Sequence, residues 1–121
     1  MPATVLVVDD EPNIVISLEF LLAQNGFSPY VARSGEQALD VMEELVPDVI
    51  LLDVMLPNRS GFDILRHIRA TPRLKDIKVI MLTARGREQD VSKGLDLGAD
   101  AYMPKPFSTR ELIQKIRELH S

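Results

Sequence analysis

Short apolar runs alternate along the chain with longer segments in which apolar residues recur every three or four positions. The run at 4–8 predicts a strand, and the segment at 12–25 predicts a helix. The same alternation predicts further strands at 28–32, 48–53, 77–83 and 100–104, and further helices at 35–45, 61–70, 87–97 and 109–119. Five strand–helix units in succession are typical of an α/β domain with a parallel sheet.

Residues at the ends of the predicted helices agree with these boundaries. Pro12 suits a first helical position, because the missing N–H would have no helical partner there, and Gly26 suits a C-terminal stop. The segments 34–37 and 108–111 have the Ser-x-x-Gln and Ser-x-x-Glu patterns of a capping box.

The positions of proline predict the order of the strands. Pro29 and Pro104 lie in the second and fifth predicted strands, and proline is confined mainly to edge strands because it cannot donate a ladder hydrogen bond. The other three strands are continuous apolar runs, as expected for strands covered on both faces. A doubly wound, flavodoxin-like (βα)5 sheet of order 2-1-3-4-5 satisfies both observations and places ligands beyond Val8 and Leu52, where the chain direction reverses.

Composition narrows the classes of function. A length of 121 residues suits one domain covering 1–121, and the absence of cysteine excludes disulfides and thiolate metal sites. A net charge of -4 gives no basic surface for a nucleic-acid backbone, so we expect no direct nucleic-acid binding by this chain. No segment resembles an export signal or a membrane span, which favours a soluble protein of the cytoplasm with no membrane partner.

Acidic residues follow two of the predicted central strands. Asp9, Asp10 and Glu11 come after the first strand and Asp53 ends the third. Neighbouring strands lie about 4.8 Å apart, so these carboxylates should crowd together and require a cation. Oxygen ligands of this kind suit Mg²⁺. The competing interpretation is that Asp9 or Asp10 merely caps the first helix while Asp53 opens a polar turn. Because acidic residues end both of these neighbouring strands, a metal site is favoured over two separate caps and turns.

Two further residues are predicted at the same edge of the sheet. Thr83 ends the fourth strand and Lys105 follows the fifth. Taken singly, a threonine ending a strand and a solvated lysine are ordinary features of a protein surface. With Asp53 they form a set able to manage phosphoryl transfer, since a carboxylate can attack phosphorus while an ammonium and a hydroxyl bind its oxygens.

Four motifs resemble those of the receiver domains of two-component response regulators. They are LVVDDE at 6–11, VILLDVMLPNRSGFDIL at 49–65, VIMLTAR at 79–85 and GADAYMPKPF at 98–107. The resemblance covers the whole chain, and the motifs occur in the family's order. It implies that a sensor histidine kinase or phosphotransfer protein supplies a phosphoryl group and that the domain acts as a switch rather than an enzyme.

The resemblance also implies the roles of individual residues. Asp53 would be the phosphoacceptor, Asp10 a direct Mg²⁺ ligand, Asp9 a ligand through water, and the backbone carbonyl of Met55 a further ligand. Lys105 would bind the phosphoryl group.

Further implied roles concern the switch. Thr83 would supply the switch hydroxyl, and Tyr102 would turn inward when Thr83 moves towards the phosphate. Lys105–Pro106 would be a cis peptide bond. By residue type alone, Tyr102 on an edge strand is more often a packing residue.

The chain lacks residues that two other classes of enzyme with similar sheets require. A dinucleotide oxidoreductase requires a glycine-rich first turn, but this turn is acidic. A haloacid-dehalogenase-like phosphatase uses a second aspartate two residues after its nucleophile, and here that residue is Met55. We therefore expect a protein that keeps its acyl phosphate.

The output of the switch is predicted only in outline. The face formed by the fourth helix, fifth strand and fifth helix has mixed charge, similar to the face through which winged-helix regulators dimerise. Val91 and Ala101 depart from that family's charged residues, so a downstream effector, self-association or a merely solvated face remain alternatives. Gly94 weakens the fourth helix, which Val91, Leu95 and Leu97 should anchor. The chain is either a stand-alone receiver or part of a longer regulator.

Overall fold

A computed structural model describes residues 2–84 and 88–120, except for the side chain of Glu88. Every predicted element is present, and its described ends lie within one residue of the predicted bounds. The strands are β1 (Thr4–Val8), β2 (Ser28–Ala32), β3 (Val49–Asp53), β4 (Lys78–Ala84) and β5 (Ala101–Lys105). The helices are α1 (Pro12–Gln24), α2 (Gly35–Glu44), α3 (Gly61–Ala70), α4 (Glu88–Asp96) and α5 (Thr109–His120).

The five strands form one parallel sheet in the order β2-β1-β3-β4-β5, which confirms the predicted fold class. Pro29 and Pro104 lie on the two edge strands, where an absent N–H removes no internal ladder bond. Val8 of β1 pairs with Leu52 of β3, so the residues that follow these two strands emerge side by side. The sheet therefore brings Asp9 and Asp53 to one edge.

Helices cover both faces of the sheet. Alternate strand residues such as Leu6 and Leu52 pack with α2 and α3, while Val7 and Leu51 pack with α1 and α5. All four side chains are fully buried, and burying each contributes roughly 1.5–3 kcal/mol relative to exposure. These strands are continuous apolar runs because neither face meets water.

Serine side chains cap the amino-terminal ends of α2 and α3. Ser34 Oγ accepts a hydrogen bond of 3.1 Å from the Gln37 N–H, and the Gln37 side chain accepts one from the Arg33 N–H. Ser60 Oγ accepts a hydrogen bond of 3.3 Å from the Asp63 N–H at the start of α3. Each cap satisfies a backbone donor that the first helical turn leaves open.

The anchoring of α4 differs in part from the prediction. Leu97 packs against the core, but 48% of Leu95 is exposed, so the prediction that Leu95 anchors the helix was wrong. Gly94 is buried, and a Cβ there would lie 3.4 Å from Met81 Cγ. That distance is at the tight limit of ordinary van der Waals contact, so the helix packs closely on the sheet here without requiring glycine at residue 94.

Among the described residues, none of the helices combines the length and the apolar character needed to cross a bilayer.

Candidate functional site

The candidate residues meet at the carboxyl edge of the sheet. Asp9 follows β1, Asp53 ends β3, Thr83 lies near the end of β4 and Lys105 ends β5. In a parallel sheet all these strand ends point the same way, so residues far apart in sequence share one surface. The structure brings Asp9, Asp53 and Lys105 into direct contact.

Asp9 is fully buried, and both of its carboxylate oxygens have partners. Oδ1 accepts a hydrogen bond of 2.9 Å from the Glu11 N–H, and Oδ2 accepts one of 2.7 Å from Lys105 Nζ. Hydrogen bonds to a charged donor are stronger than neutral ones, and a buried carboxylate requires them. Asp9 thus fixes both the turn after β1 and the position of the lysine.

Asp53 lies between Lys105 and the start of the β3–α3 loop. Its Oδ2 accepts a hydrogen bond of 3.2 Å from Lys105 Nζ, and its Oδ1 accepts one of 3.2 Å from the Met55 N–H. Burial raises the pKa of Asp53 to about 6, with Lys105 opposing this shift and the charge of Asp9 adding to it. Desolvation wins because only 5% of the residue is exposed.

This raised pKa predicts a stability that depends on pH in the metal-free protein. The pKa of Asp53 is about 6 in the folded protein and 3.8 in the reference state, so the folded state binds the proton more tightly. Protonation of Asp53 therefore contributes fully to the unfolding free energy below pH 3.8, and this contribution is lost as the pH rises through 6. Because some water still hydrates the Asp53 carboxyl and weakens the effect of burial, we expect the loss of unfolding free energy to be about 2 kcal/mol. In chelator at pH 7.5, Asp53→Asn should therefore exceed the parent in unfolding free energy by that amount.

Urea unfolding followed by circular dichroism from pH 4 to pH 8 measures this difference. The advantage of Asp53→Asn should shrink to a small remainder near pH 4, because the folded-state carboxyl is then protonated and the unfolded-state carboxyl, with a reference pKa of 3.8, is close to half protonated. A difference that does not change with pH would contradict the assignment of the penalty to Asp53 ionisation.

Lys105 connects the acids of the site. Besides its bonds to Asp9 and Asp53, its Nζ lies 3.6 Å from Glu11 Oε1, and 16% of its side chain is exposed. Burial alone would lower the pKa of Lys105, but the hydrogen bond to Asp9 and the charges of Asp53 and Asp9 raise it above its ordinary value. The lysine therefore carries a positive charge at the centre of the site. Its peptide bond to Pro106 is cis.

Three carboxylates at this edge could hold a metal ion. One oxygen from each of Asp9, Asp10 and Asp53 can be chosen so that all lie within 4.8 Å of one another, and Asp10 is exposed. A small set of carboxylate oxygens that leaves room for water and phosphate fits Mg²⁺. The direct role of Asp10, the water-mediated role of Asp9 and the role of the Met55 carbonyl remain predictions.

Thr83 and Tyr102 differ in their exposure to solvent. Thr83 is buried, and its hydroxyl donates to the Ala84 carbonyl at 3.4 Å, while 43% of Tyr102 is exposed. Both residues line a narrow crevice between α4 and the sheet. The structure thus places the two residues beside one cavity, and their role as a switch stays a prediction.

Gly61 is a site residue that the sequence reasoning missed. A Cβ at this position would overlap the Asp53 carbonyl oxygen, and the Gly61 N–H donates to the Val54 carbonyl at 2.9 Å. The start of α3 can therefore press against the end of β3 only because residue 61 lacks a side chain. A glycine directly after the Ser60 cap was the available signal.

Comparison with known proteins gives consistent results along the chain. The model of the response regulator receiver domain matches residues 5–117. The phosphate regulon transcriptional regulatory protein PhoB of Escherichia coli K12 is 45% identical over 117 residues, which are 97% of this chain and 51% of that protein. The transcriptional regulatory protein CpxR of the same organism is 48% identical over 115 residues, 95% of this chain and 48% of that protein. The chain spans about half the length of these relatives.

Solved structures show the same similarity. A putative response regulator from Chloroflexus aurantiacus superposes with a TM-score of 0.95 at 33% identity, covering 99% of this chain and 98% of that one. The chemotaxis response regulator CheY4 of Vibrio cholerae superposes with a TM-score of 0.92 at 28% identity, covering 98% and 99% of the respective chains.

Proposed function

Because the chain belongs to the response regulator receiver domain family, we propose that Asp53 accepts a phosphoryl group and that Thr83 and Tyr102 convey its presence to the α4–β5–α5 face. Receiver domains are the signalling switches of two-component systems and partner with histidine kinases. One observation carries the assignment to Asp53: its carboxylate bonds the Lys105 ammonium 3.2 Å away, beside the acids Asp9 and Asp10.

The proposed transfer uses the residues of the site in distinct ways. An Asp53 oxygen forms a bond to phosphorus as the bond from phosphorus to the kinase imidazole nitrogen breaks, and the electron pair returns to the imidazole. Above its pKa of about 6, the Asp53 carboxyl is mainly ionised and hence nucleophilic. Lys105 turns from Asp53 Oδ2 to a phosphoryl oxygen while Asp9 continues to hold it.

Asp10, Asp53 and the Met55 carbonyl would hold Mg²⁺, with Asp9 acting through water. When bound, the ion neutralises charge on the phosphoryl oxygens. The fit rests on the shared oxygen ligands of the acidic cluster.

Mg²⁺ should stabilise the protein through this acidic cluster. At ten times its dissociation constant, the gain in unfolding free energy is about 1.4 kcal/mol for one site. Asp10→Ala should abolish the gain and should itself raise the stability of the metal-free protein, since one of three crowded carboxylates is removed. Thermal melting with and without Mg²⁺ measures both effects. Asp40→Ala, on exposed α2 surface, is the matched control, and a parent melting temperature indifferent to Mg²⁺ would refute the site.

Under this proposal, the protein catalyses only its own phosphorylation and dephosphorylation. A haloacid-dehalogenase-like phosphatase would need an acid where this chain has Met55, whose residue surface is 62% exposed. A thioether neither donates nor accepts a proton at neutral pH, so leaving-group protonation lacks its residue. Sustained hydrolysis of a small phosphate ester, lost in Asp53→Asn, would favour the phosphatase instead.

The downstream role extends beyond this domain. The names of the two curated relatives describe transcriptional regulators about twice as long as this chain, which supports a receiver acting within a longer, DNA-binding regulator of the cytoplasm. The stand-alone receiver is the alternative. Residues 1–121 would form the phosphoacceptor domain, and the α4–β5–α5 face would bind an effector or a second copy.

Thr83→Ala should separate acceptance of phosphate from the response to it. The variant keeps Asp53 and Lys105, so it should still take up one phosphoryl group by intact mass. It lacks the hydroxyl that would bond a phosphoryl oxygen, so most of the response across residues 89–119 should be lost in amide hydrogen exchange. Thr71→Ala is the control, because Thr71 Oγ1 donates to the His67 carbonyl far from the site. A full response in Thr83→Ala would show that the switch works without this hydroxyl.

A further inference from the structure

Met55 carries an exposed thioether beside the candidate site, whereas the other methionines that the structure describes are buried. Its exposed fraction is 62%, against 1% for Met42, 2% for Met81 and 6% for Met103. Oxidation of a thioether requires contact between the sulfur and the oxidant, so burial in a close-packed core protects the other three. Among residues 2–84 and 88–120, the sulfur of Met55 is therefore the one that a dissolved oxidant can reach.

The backbone on both sides of Met55 is anchored to the domain. Val54 is buried, its N–H donates to the Leu82 carbonyl at 3.0 Å, and its carbonyl accepts a hydrogen bond of 2.9 Å from the Gly61 N–H. Leu56, on the other side, packs against the core. The exposed side chain of Met55 therefore extends from a backbone that its neighbours hold in place.

Met55 also contacts the proposed phosphoacceptor. Its N–H donates to Asp53 Oδ1 at 3.2 Å, and an N–Cα bond is about 1.5 Å long, so the Met55 Cα lies within about 5 Å of that oxygen. A change in the polarity of this side chain is therefore a change at the rim of the site. It leaves the carboxylates, Lys105 and the Met55 carbonyl chemically unaltered.

A peroxide converts a thioether to a sulfoxide in a balanced reaction. A sulfur lone pair attacks one peroxide oxygen, the O–O bond breaks, and the departing hydroxide removes the proton from the new S–OH group and leaves as water. The sulfur loses two electrons and the peroxide gains them. The product has a strong acceptor oxygen where the thioether had only a weakly accepting sulfur.

We propose that Met55 is a site of oxidation by peroxides and that its sulfoxide shortens the lifetime of the acyl phosphate on Asp53. The second half of this inference rests on the proposed function. Hydrolysis of the acyl phosphate needs a water molecule near phosphorus, and an apolar thioether does little to hold one. A sulfoxide oxygen accepts a hydrogen bond from water and keeps that water beside Asp53.

Peptide mapping after treatment of the folded protein with hydrogen peroxide tests the first half. Addition of oxygen should be at least about tenfold faster at Met55 than at Met42, Met81 or Met103, and unfolding in urea should remove the difference. Equal rates at Met55 and at the buried methionines of the folded protein would overturn the assignment.

The lifetime is then measured on the oxidised sample. Catalase removes the peroxide, acetyl phosphate with saturating Mg²⁺ loads Asp53, and intact mass follows the decay of the acyl phosphate after the donor is removed. The oxidised parent should lose its phosphoryl group about threefold faster than the untreated parent, which is the effect of one additional hydrogen bond to the attacking water. Methionine sulfoxide reductases should restore the slower decay.

Two substitutions separate the sulfoxide from other effects of peroxide. Met55→Leu removes the sulfur, keeps an apolar side chain and retains the other methionines, so peroxide should not change its decay rate relative to its own untreated sample. Met55→Gln places a carbonyl oxygen on a side chain of similar length, and without peroxide it should decay faster than Met55→Leu.

Three results would overturn the effect on lifetime. They are unchanged or slower decay in the oxidised parent, an equal response to peroxide in Met55→Leu, and decay of Met55→Gln that is no faster than that of Met55→Leu. Failure of the proposed function has a different signature, because the untreated parent would then gain no acyl phosphate on Asp53. Peptide mapping would still decide whether peroxide oxidises Met55.

Discussion

Asp53→Asn should abolish the uptake of a phosphoryl group from a small phosphodonor in the presence of Mg²⁺. The parent should gain one phosphoryl group by intact mass, and omission of Mg²⁺ should reduce that gain strongly. An amide nitrogen or oxygen is too weakly nucleophilic to replace the carboxylate, so the expected loss is complete rather than partial. The substitution is nearly isosteric, and the amide oxygen can still accept the hydrogen bond from the Met55 N–H.

The controls for this prediction separate chemistry from folding. Asp40→Asn removes a carboxylate from an exposed position on α2 and should label like the parent. Circular dichroism should show that Asp53→Asn is folded, with the higher stability in chelator that follows from the raised pKa of Asp53. Labelling of Asp53→Asn at the parent level, mapped to another residue, would remove Asp53 from the role of acceptor.

Lys105→Ala should cause the largest loss of stability of any single change at the site. It leaves the fully buried Asp9 carboxylate with the Glu11 N–H alone among its described partners and removes the ammonium next to Asp53. Breaking a buried ion pair on one side costs about 3–5 kcal/mol, and protonation of Asp53 would reduce the cost here to about 3 kcal/mol. Urea unfolding in chelator at neutral pH measures the loss.

Two comparisons identify the cause of that loss. Lys115→Ala removes an exposed lysine paired with Glu118 at 3.4 Å and should change stability by less than about 0.5 kcal/mol. Mg²⁺ should restore more stability to Lys105→Ala than to the parent, because a cation then replaces the missing charge among the acids. Unfolding free energies of Lys105→Ala and the parent that agree within error would mean that the buried contacts of Lys105 contribute little.

The sequence by itself determined the elements, the fold class and the edge of the sheet that carries the acids. Hydrophobic periodicity depends on which face of a local segment meets the core, so it located each helix and strand within one residue of its described end. Pro29 and Pro104 identified the edge strands because an absent N–H excludes a central position. Given that order, parallel strands could only bring the ends of β1 and β3 together, and with them Asp9 and Asp53.

The tertiary structure decided which charges pair and how strongly. Lys105 lies 96 residues from Asp9 in sequence, yet its bond to Asp9 is 2.7 Å long, against 3.2 Å to Asp53. The pKa of Asp53 likewise depends on burial created by several elements at once. Side-chain distances of a few tenths of an ångström and the exclusion of water arise only when distant segments pack, so no local pattern records them.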